Sequence, residues 1–243
     1  LPDGSRLCAV VEPVALDGPS MTIRRHRPRR IPLEQFTTPP VADALRQLVD
    51  GRVNMLVTGA TSTGKTTLLT ALASGVDPAE RLVVIEDTAE LALAGHVLRL
   101  EARPPGLDGV RGVDPATLVR TALRLRPDRL VLGEFRGLEA LAVVEALNTG
   151  HDGSLSTCHA NSALDGLRRL ETLLMQAAPS WPLAAIRRQV SRSIDVVVHL
   201  DRTADGRRTI AEVVEVVEGD GEPAGRVLVA GDDVVAACTR RRR

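Results

Sequence analysis

One segment of the sequence has the residue types and the spacing of a phosphate-binding loop. Residues 59–66 read Gly-Ala-Thr-Ser-Thr-Gly-Lys-Thr and match the pattern G-x-x-x-x-G-K-[ST]. In such a loop, backbone N–H groups surround the phosphates, the lysine contacts the β- and γ-phosphates, and the last hydroxyl binds Mg²⁺. The residues predicted to bind nucleotide are Gly59, Ala60, Thr61, Ser62, Thr63, Gly64, Lys65, Thr66 and Thr67.

The lysine of this loop is unusual in the chain. Lys65 is the only lysine among 31 basic residues, and all the others are arginine. An ammonium group acts as a compact point charge on a phosphate, which a guanidinium does not. The loop also follows the apolar stretch 53–57 and precedes a helical pattern, which is the context such a loop requires. A chance match in a Gly- and Thr-rich turn is therefore disfavoured.

Carboxylates follow two further apolar stretches. Residues 82–85 precede Glu86 and Glu90, and residues 129–132 precede Glu134. An acid beside a phosphate-binding loop can hold Mg²⁺, and another can orient the attacking water. Taken singly, each acid is equally well explained as a loop carboxylate or a helix cap. The predicted metal ligands are Thr66, Glu134 and Glu86.

Two histidines flank another strand-like stretch, residues 154–158. His151 stands before this stretch and His159 stands after it. A metal site made of both histidines and Cys158 would lack a complete ligand set with the usual pairing. Sensing of the γ-phosphate fits His159 better, because it ends a predicted strand as the acids above do.

Several arginines lie between the acidic stretches. Most of them are expected on the surface, but one or two are candidates for reaching the γ-phosphate, in the manner of an arginine finger from a neighbouring subunit. They are Arg99, Arg103, Arg111, Arg120, Arg124 and Arg126.

The elements that must position these groups alternate between short apolar strands and helices. Helices are predicted at 41–49, 65–73, 115–125, 138–147, 163–176 and 183–192, and strands at 53–57, 82–85, 97–100, 130–132 and 154–158. This alternation favours an α/β fold with a mostly parallel sheet covered by helices on both faces. Ligands bind at the carboxyl ends of such strands, so the loop, the acids and His159 are expected to meet at one edge.

The chain divides into four predicted regions. A β-hairpin is interpreted as the C-terminal remnant of a smaller α+β N-terminal domain, and a basic, Pro-rich linker follows it. A nucleotide-binding core is followed by a C-terminal β extension. Strands predicted at 196–200, 208–217 and 225–229 indicate an antiparallel meander. The last four residues, Arg240–Arg243, are predicted to be a frayed tail. The regions are 1–27 (remnant), 28–40 (linker), 41–200 (core) and 201–243 (extension and tail).

Composition excludes several classes of protein. The chain has 243 residues, 44% of them apolar, and its 31 basic residues equal its 31 acidic ones, so a nucleic-acid coat is disfavoured. Only 1% of the residues are aromatic, which disfavours base-stacking platforms. No apolar run approaches the roughly 20 residues that span a bilayer. Three scattered cysteines make no disulfide framework and indicate a reducing, cytoplasmic environment.

Four segments in order carry a resemblance to a known family. Residues 59–66, 85–90, 132–137 and 149–161 resemble the motifs of the type II/type IV secretion traffic ATPases, most closely the Tad/CpaF-type ATPases of Flp pilus assembly. The resemblance runs from about residue 1 to 200. It implies a RecA-like core in a hexameric cytoplasmic motor that uses ATP and Mg²⁺ for pilus assembly or protein secretion. It further implies a platform protein of the inner membrane as partner, membrane contact only through partners, and no direct nucleic acid.

The resemblance also implies roles for individual residues. Lys65 and Thr66 match the Walker A pair, and Glu134 matches the Walker B glutamate. Glu90 matches the acidic-box glutamate, the implied general base, although the residues alone leave Glu86, Glu90 and Glu134 open for that role. The implied catalytic set is Lys65, Glu90, Glu134, His151 and His159.

The resemblance has consequences at both ends of the site. Arg24 or Arg25 would reach the nucleotide from the N-terminal segment. Glycine is usual in the family where Ala60 and Ser62 stand, and Phe135 replaces a small β-branched residue. A Cβ at Ser62 strains a loop that favours positive φ, so affinity or turnover is expected to be weakened.

Three other functions stay open on the residues alone. A conjugation-type nucleic-acid translocase could share the same core, and DNA-stimulated turnover would favour it. A nucleotide-binding scaffold would bind ATP without releasing phosphate. A small-molecule kinase would need an acceptor site or lid, for which the sequence gives no sign.

Overall fold

The fold is built on one large sheet, seen in a computed structural model that describes residues 5–25, 31–106, 109–218 and 222–240. The sheet has nine strands in the order β11-β10-β9-β8-β3-β7-β6-β4-β5, and a separate hairpin pairs β1 with β2. The strands are β1 (Arg6–Val10), β2 (Ser20–Arg24), β3 (Met55–Gly59), β4 (Leu82–Glu86), β5 (Val97–Glu101), β6 (Arg129–Leu132), β7 (Leu155–His159), β8 (Val196–Arg202), β9 (Arg208–Val217), β10 (Ala224–Ala230) and β11 (Asp233–Val234).

Helices connect the parallel strands. They are α1 (Pro39–Asp50), α2 (Lys65–Ala73), α3 (Pro115–Ala122), α4 (Glu139–Leu147), α5 (Ala163–Ala177) and α6 (Leu183–Ser193). Two 3₁₀ turns, Leu33–Gln35 and Leu123–Leu125, complete the list. Within the described ranges, no helix has the length and hydropathy needed to span a lipid bilayer.

The central strands are apolar because both of their faces are covered. Side chains alternate between two cores: Met55 and Val57 of β3 face a cluster that includes α1 and α2, and Leu56 faces a cluster that includes α3 to α6. Strand β4 alternates in the same way. This two-residue period is what a strand buried on both sides requires. The α/β class and the mostly parallel sheet are thus as predicted.

The predicted helix starts have physical causes that the structure shows. The Asp114 side chain accepts a hydrogen bond from the N–H of Thr117 and caps α3, with Pro115 at the first helical position. Ser162 caps α5 in the same way through the N–H of Asp165. One end is corrected: α3 stops at Ala122, and the chain continues to Leu125 as a 3₁₀ turn.

The C-terminal strands β8, β9 and β10 form the predicted antiparallel meander. Strand β8 joins it to the parallel sheet by pairing with β3, and the short strand β11 was not predicted. The tail is anchored as far as Arg240, whose guanidinium donates to the carbonyl of Ser191 and lies 3.3 Å from Asp195 Oδ1. The rest of the predicted tail, residues 241–243, lies outside the described residues.

The predicted linker is partly packed. Leu33 and Phe36 are buried in the core, and α1 already begins at Pro39, because proline is well tolerated in the first turn of a helix. The hairpin of β1 and β2 forms as predicted. Residues 1–4, 26–30 and 219–221 lie outside the described residues.

Candidate phosphate-binding site

The carboxyl ends of β3, β4, β6 and β7 surround a cavity of about 320 Å³. The cavity is lined by the loop before α2 and by the residues that follow these strands, Glu86, Glu90, Glu134 and His159 among them. Arg6, Arg24 and Arg208 lie on its rim from other parts of the chain. The predicted meeting of loop, acids and His159 at one edge is therefore observed.

The loop owes its shape to backbone conformations that favour glycine. Gly59 and Gly64 have φ values of +153° and +100°, and a Cβ at Gly59 would lie 2.6 Å from the carbonyl oxygen of Leu200. Gly64 precedes α2 without a side-chain cap. The helix N-terminus is therefore left to bind an anion with its N–H groups. Ser62 has a φ of 63°, the conformation expected to be strained.

The nine predicted loop residues divide into two groups. Those that line the cavity are Thr61, Ser62, Gly64, Lys65, Thr66 and Thr67. Gly59, Ala60 and Thr63 are not in the lining and hold the loop: Thr63 donates its hydroxyl hydrogen to the Ala60 carbonyl.

Lys65 is held in place by three acceptors. Its Nζ donates to the carbonyl oxygens of Gly59 at 2.9 Å and Ala60 at 2.8 Å, and lies 3.2 Å from Nδ1 of His159. The side chain is buried, and burial lowers the pKa of Lys65. The ammonium is thus fixed at the loop, where a phosphate group would displace carbonyl contacts.

Glu134 lies between His159 and Arg136. Its Oε1 is 2.7 Å from His159 Nε2, and its Oε2 accepts from Arg136 Nε at 2.6 Å. Arg136 also reaches Asp87, with 3.1 Å between Nη1 and Oδ2. Burial lowers the pKa of His159, and Lys65 lowers it further, so the imidazole is neutral at pH 7. Three predicted residues, Lys65, His159 and Glu134, therefore form one continuous contact chain.

Glu86 has a different task from the metal binding predicted for it. Its carboxylate is buried and accepts hydrogen bonds from the backbone N–H groups of Glu90 at 2.9 Å and Leu91 at 3.1 Å. Burial raises the pKa of Glu86 to about 7 despite these bonds. The side chain fixes the turn that carries Glu90 and also lines the cavity, and its place among the metal ligands stays a prediction.

Glu90 faces the arginines of the N-terminal hairpin. Its Oε1 lies 2.9 Å from Arg6 Nη2 and 3.6 Å from Arg24 Nη2. Sequence reasoning selected Arg24 but missed Arg6; the signal was the hairpin register, which places Arg6 directly opposite Arg24. Of the two alternatives predicted to reach the nucleotide, Arg24 lines the cavity, whereas Arg25 is exposed and does not.

His151 is not brought to the cavity. It precedes β7, at the opposite end of the strand from His159, and its Nδ1 lies 3.1 Å from the carbonyl oxygen of Ala146. Its catalytic role stays a prediction that this placement does not support. None of the six arginines singled out between the acidic stretches lines the cavity either.

The side chains present fit a phosphate-bound Mg²⁺. Glu134 Oε1 is a buried carboxylate oxygen 2.7 Å from Nε2 of His159, and Thr66 lines the same cavity. The described part of the chain holds no group of three or more His, Cys, Asp or Glu residues suited to a metal ion. Oxygen ligands of this kind suit Mg²⁺, which takes its other ligands from phosphates and water.

Comparison with known proteins decides the family. The model of the type II/IV secretion system protein family matches residues 1–226. The chain belongs to the type II/IV secretion system protein family. It is 37% identical to the conjugal transfer protein TrbB of Rhizobium radiobacter over 224 residues, which are 89% of this chain and 66% of TrbB. It is 37% identical to the type IV secretion system protein PtlH of Bordetella pertussis in an alignment of 256 positions, which covers 92% of this chain and 75% of PtlH.

Solved structures of the family share the fold. The VirB11 ATPase from the Brucella suis type IV secretion system, in complex with sulphate, is 32% identical with a TM-score of 0.65 and covers 88% of this chain and 72% of VirB11. The pilus retraction motor PilT with bound ADP is 19% identical with a TM-score of 0.59, covers 94% of this chain and 64% of PilT, and shows the fold alone.

The comparisons confirm the secretion-ATPase resemblance at the level of the superfamily. The finer resemblance to Tad/CpaF-type ATPases stays a prediction. The chain spans 62% of the length of relatives from Mycobacterium tuberculosis to which it is 39% identical over 222 residues.

Proposed function

We propose that this chain is the Mg²⁺-dependent, ATP-hydrolysing core of a motor that drives a type IV secretion-type machine. The observation that carries the proposal is the contact chain from Lys65 through His159 to Glu134, at the edge where the phosphate-binding loop opens. The relatives supply the machine: one is named a conjugal transfer protein and another a type IV secretion system protein. Pilus assembly, the narrower prediction, is a variant of the same proposal.

The proposed chemistry is attack of water on the γ-phosphate. The oxygen of the water forms a bond to phosphorus, the bond between phosphorus and the β–γ bridging oxygen breaks, and ADP and phosphate leave. Glu90 takes the proton of the water, since Arg6 holds its carboxylate at the cavity. Lys65 and the N-terminus of α2 balance the charge of the phosphates.

The proposed metal ligands are Thr66 and Glu134. Bound Mg²⁺ would neutralise phosphate charge, and its protein ligands would be the Thr66 hydroxyl and Glu134 Oε1. Glu86 is left out because the turn at Glu90 and Leu91 uses its oxygens.

Assembly and location form part of the proposal. We expect a homo-oligomer, with six copies as the resemblance implies, working in the cytoplasm at the inner face of the membrane through a platform protein. The regions 1–27, 28–40, 41–200 and 201–243 are proposed as its parts. The apolar side chains of Leu7, Met21 and Ile23 are exposed on the hairpin, which supports its place in a larger N-terminal domain.

Phosphate release with Mg²⁺ and ATP tests the proposal directly. Lys65→Ala is expected to abolish nucleotide binding, whereas Glu134→Gln is expected to bind ATP and hydrolyse it at least roughly 100-fold more slowly. Glu101→Gln is the matched control, because Glu101 ends strand β5 at the edge of the sheet and is exposed. Turnover like that of the unaltered chain in either active-site variant would refute the assignment. Binding without turnover in the unaltered chain would favour a scaffold.

Protein concentration and DNA test the remaining points. Specific activity that rises steeply with concentration would support sites completed between subunits, where exposed Arg120 of α3 and Arg124 of the following 3₁₀ turn could act. Flat activity would indicate a self-contained enzyme. Stimulation by DNA would favour the translocase reading, against which the equal numbers of acidic and basic residues count.

A further inference from the structure

Two pairs of directly opposed arginines flank the phosphate-binding cavity. Arg6 faces Arg24 across the hairpin of β1 and β2, and Arg202 faces Arg208 across β8 and β9. Residues opposite each other on antiparallel strands lie about 5 Å apart on the same face, so two like charges there repel. A negative group beside either pair would offset this repulsion.

The first pair has its negative group in the chain itself. The Glu90 carboxylate lies 2.9 Å from Arg6 and 3.6 Å from Arg24. Their repulsion is thus offset without any ligand.

The second pair has no carboxylate among the described residues. The neighbouring acids are engaged elsewhere: Asp201 accepts from the backbone N–H of Arg202, and Asp205 pairs with Arg207 at 2.8 Å. Within the described ranges, no carboxylate forms an ion pair with either Arg202 or Arg208. The two positive charges of this pair could therefore be offset by a bound anion.

Both arginines of this second pair rest on the phosphate-binding loop. Arg202 Nη2 donates to the carbonyl oxygen of Ser62 at 2.8 Å. The Arg208 side chain lies over Gly64, where an added Cβ would be 3.0 Å from its Cδ, and it lines the cavity. The hairpin of β8 and β9 thus covers the loop immediately before α2.

We propose that Arg208 binds a phosphate of the nucleotide and that Arg202 is a positioning residue that braces the loop at Ser62. This inference rests on the proposed function and adds a second positively charged side chain, besides Lys65, to its phosphate site. A guanidinium presents a planar fork of N–H donors that matches phosphate oxygens, so the chemistry of the ligand is an organic diphosphate or triphosphate.

The sheet order indicates which phosphates Arg208 meets. Strand β8 lies on one side of β3, whereas β7, β6 and β4, which lead to His159, Glu134 and Glu90, lie on the other. The acids and the attacked γ-phosphate belong to that second side. Arg208 therefore meets the α- and β-phosphates, and ADP should depend on it as strongly as ATP does.

Equilibrium binding of ADP to the purified chain tests the proposal. Arg208→Gln is expected to raise the Kd for ADP and for ATP about tenfold, and Arg208→Lys less than that. Arg207→Gln is the matched control. It removes the same charge one residue away from Arg208, and the Arg207 side chain pairs with Asp205. Arg202→Gln is expected to weaken binding more mildly and to lower the thermal midpoint of unfolding.

The outcomes separate this inference from the proposed function. If Lys65→Ala no longer binds ADP but the Kd of Arg208→Gln for ADP is within twofold of that of the unaltered chain, the proposed function stands and phosphate binding by Arg208 is refuted. Equal weakening by Arg207→Gln would also refute it, since net charge alone would then explain the effect. If the unaltered chain binds neither ADP nor ATP, the proposed function fails. An Arg208→Gln chain that unfolds early is replaced by Arg208→Lys, whose Kd for ADP must then exceed that of the unaltered chain.

Discussion

The ammonium nitrogen of Lys65 lies 3.2 Å from Nδ1 of His159. Because an ammonium can only donate, Nδ1 must accept, and the ring hydrogen is left on Nε2, which faces Glu134 at 2.7 Å. The imidazole thus joins the cation of the phosphate-binding loop to the carboxylate that follows β6. This relationship links two segments 94 residues apart and makes the protonation of His159 a property of the whole site.

The first prediction concerns the loss of ATP turnover at low pH, the acid limb of the pH profile. A protonated His159 would place a second positive charge beside Lys65 and should slow ATP turnover. Because the pKa of His159 is lowered from its ordinary value of 6.5, the fall in turnover is expected below pH 6.5. His159→Gln should turn over more slowly and show a flatter acid limb. A pH series of phosphate release measures both. His96→Gln, at an exposed histidine outside the cavity, should keep the original profile; loss of the limb there would contradict the explanation.

The second prediction concerns the strained loop residue. Ser62 has a φ of 63°, which costs a residue with a Cβ about 1 kcal/mol. Ser62→Gly should therefore raise the free energy of unfolding by up to about 1 kcal/mol, with ADP affinity equal or higher. Urea unfolding of Ser62→Gly and Ser62→Ala tests the cause. Alanine keeps the Cβ, so an equal gain in Ser62→Ala would show that strain is not the reason.

The third prediction concerns Glu86, whose pKa is raised to about 7 by burial. The folded chain then holds a proton that the unfolded chain releases, so this contribution is complete below about pH 4.5 and is lost as the pH rises through 7. Glu86→Gln keeps an acceptor for the turn and should be about 2 kcal/mol more stable at pH 8, with little change at pH 4.5.

Unfolding at both pH values measures the effect of Glu86→Gln. Exposed Glu101→Gln serves as the control and should change neither value. The Mg²⁺ concentration that gives half-maximal phosphate release should also stay the same in Glu86→Gln. A large shift in it would restore Glu86 to the metal ligands.

The fourth prediction concerns the anchor of the C-terminal segment. Glu215 is buried and accepts hydrogen bonds from Arg226, Thr239 and the N–H of Arg240, which hold its pKa at about 2 against the cost of burial. This stabilisation is present above about pH 4.5 and is lost as the pH falls towards 2. Glu215→Gln should lower the free energy of unfolding at pH 7 by about 3 kcal/mol.

Glu218→Gln is the control for Glu215→Gln, because Glu218 is exposed near the end of the same strand. Glu218→Gln should unfold like the unaltered chain at every pH. If Glu215→Gln retained the full acid dependence between pH 4.5 and 2, another carboxylate would have to be the anchor.

Local patterns in the sequence determined the loop, most elements and the edge at which the site forms. The glycines at 59 and 64, the capping residues Asp114 and Ser162, and the apolar strands all act within a few residues of chain, so their effects can be read directly. Because ligands bind at the carboxyl ends of parallel strands, the strand pattern also predicts Glu134 and His159 beside Lys65.

Only the tertiary structure decided which side chains complete the site. Arg6 and Arg208 reach it from hairpins at opposite ends of the chain. The hairpin register singles out Arg6 opposite Arg24, but no local pattern distinguishes Arg208 from the other arginines. His151 and Glu86 carry suitable groups, but strand direction removes the first and backbone N–H groups occupy the second. Strand pairing and hydrogen-bond competition are long-range effects, and they depend on where segments far apart in the chain finally pack.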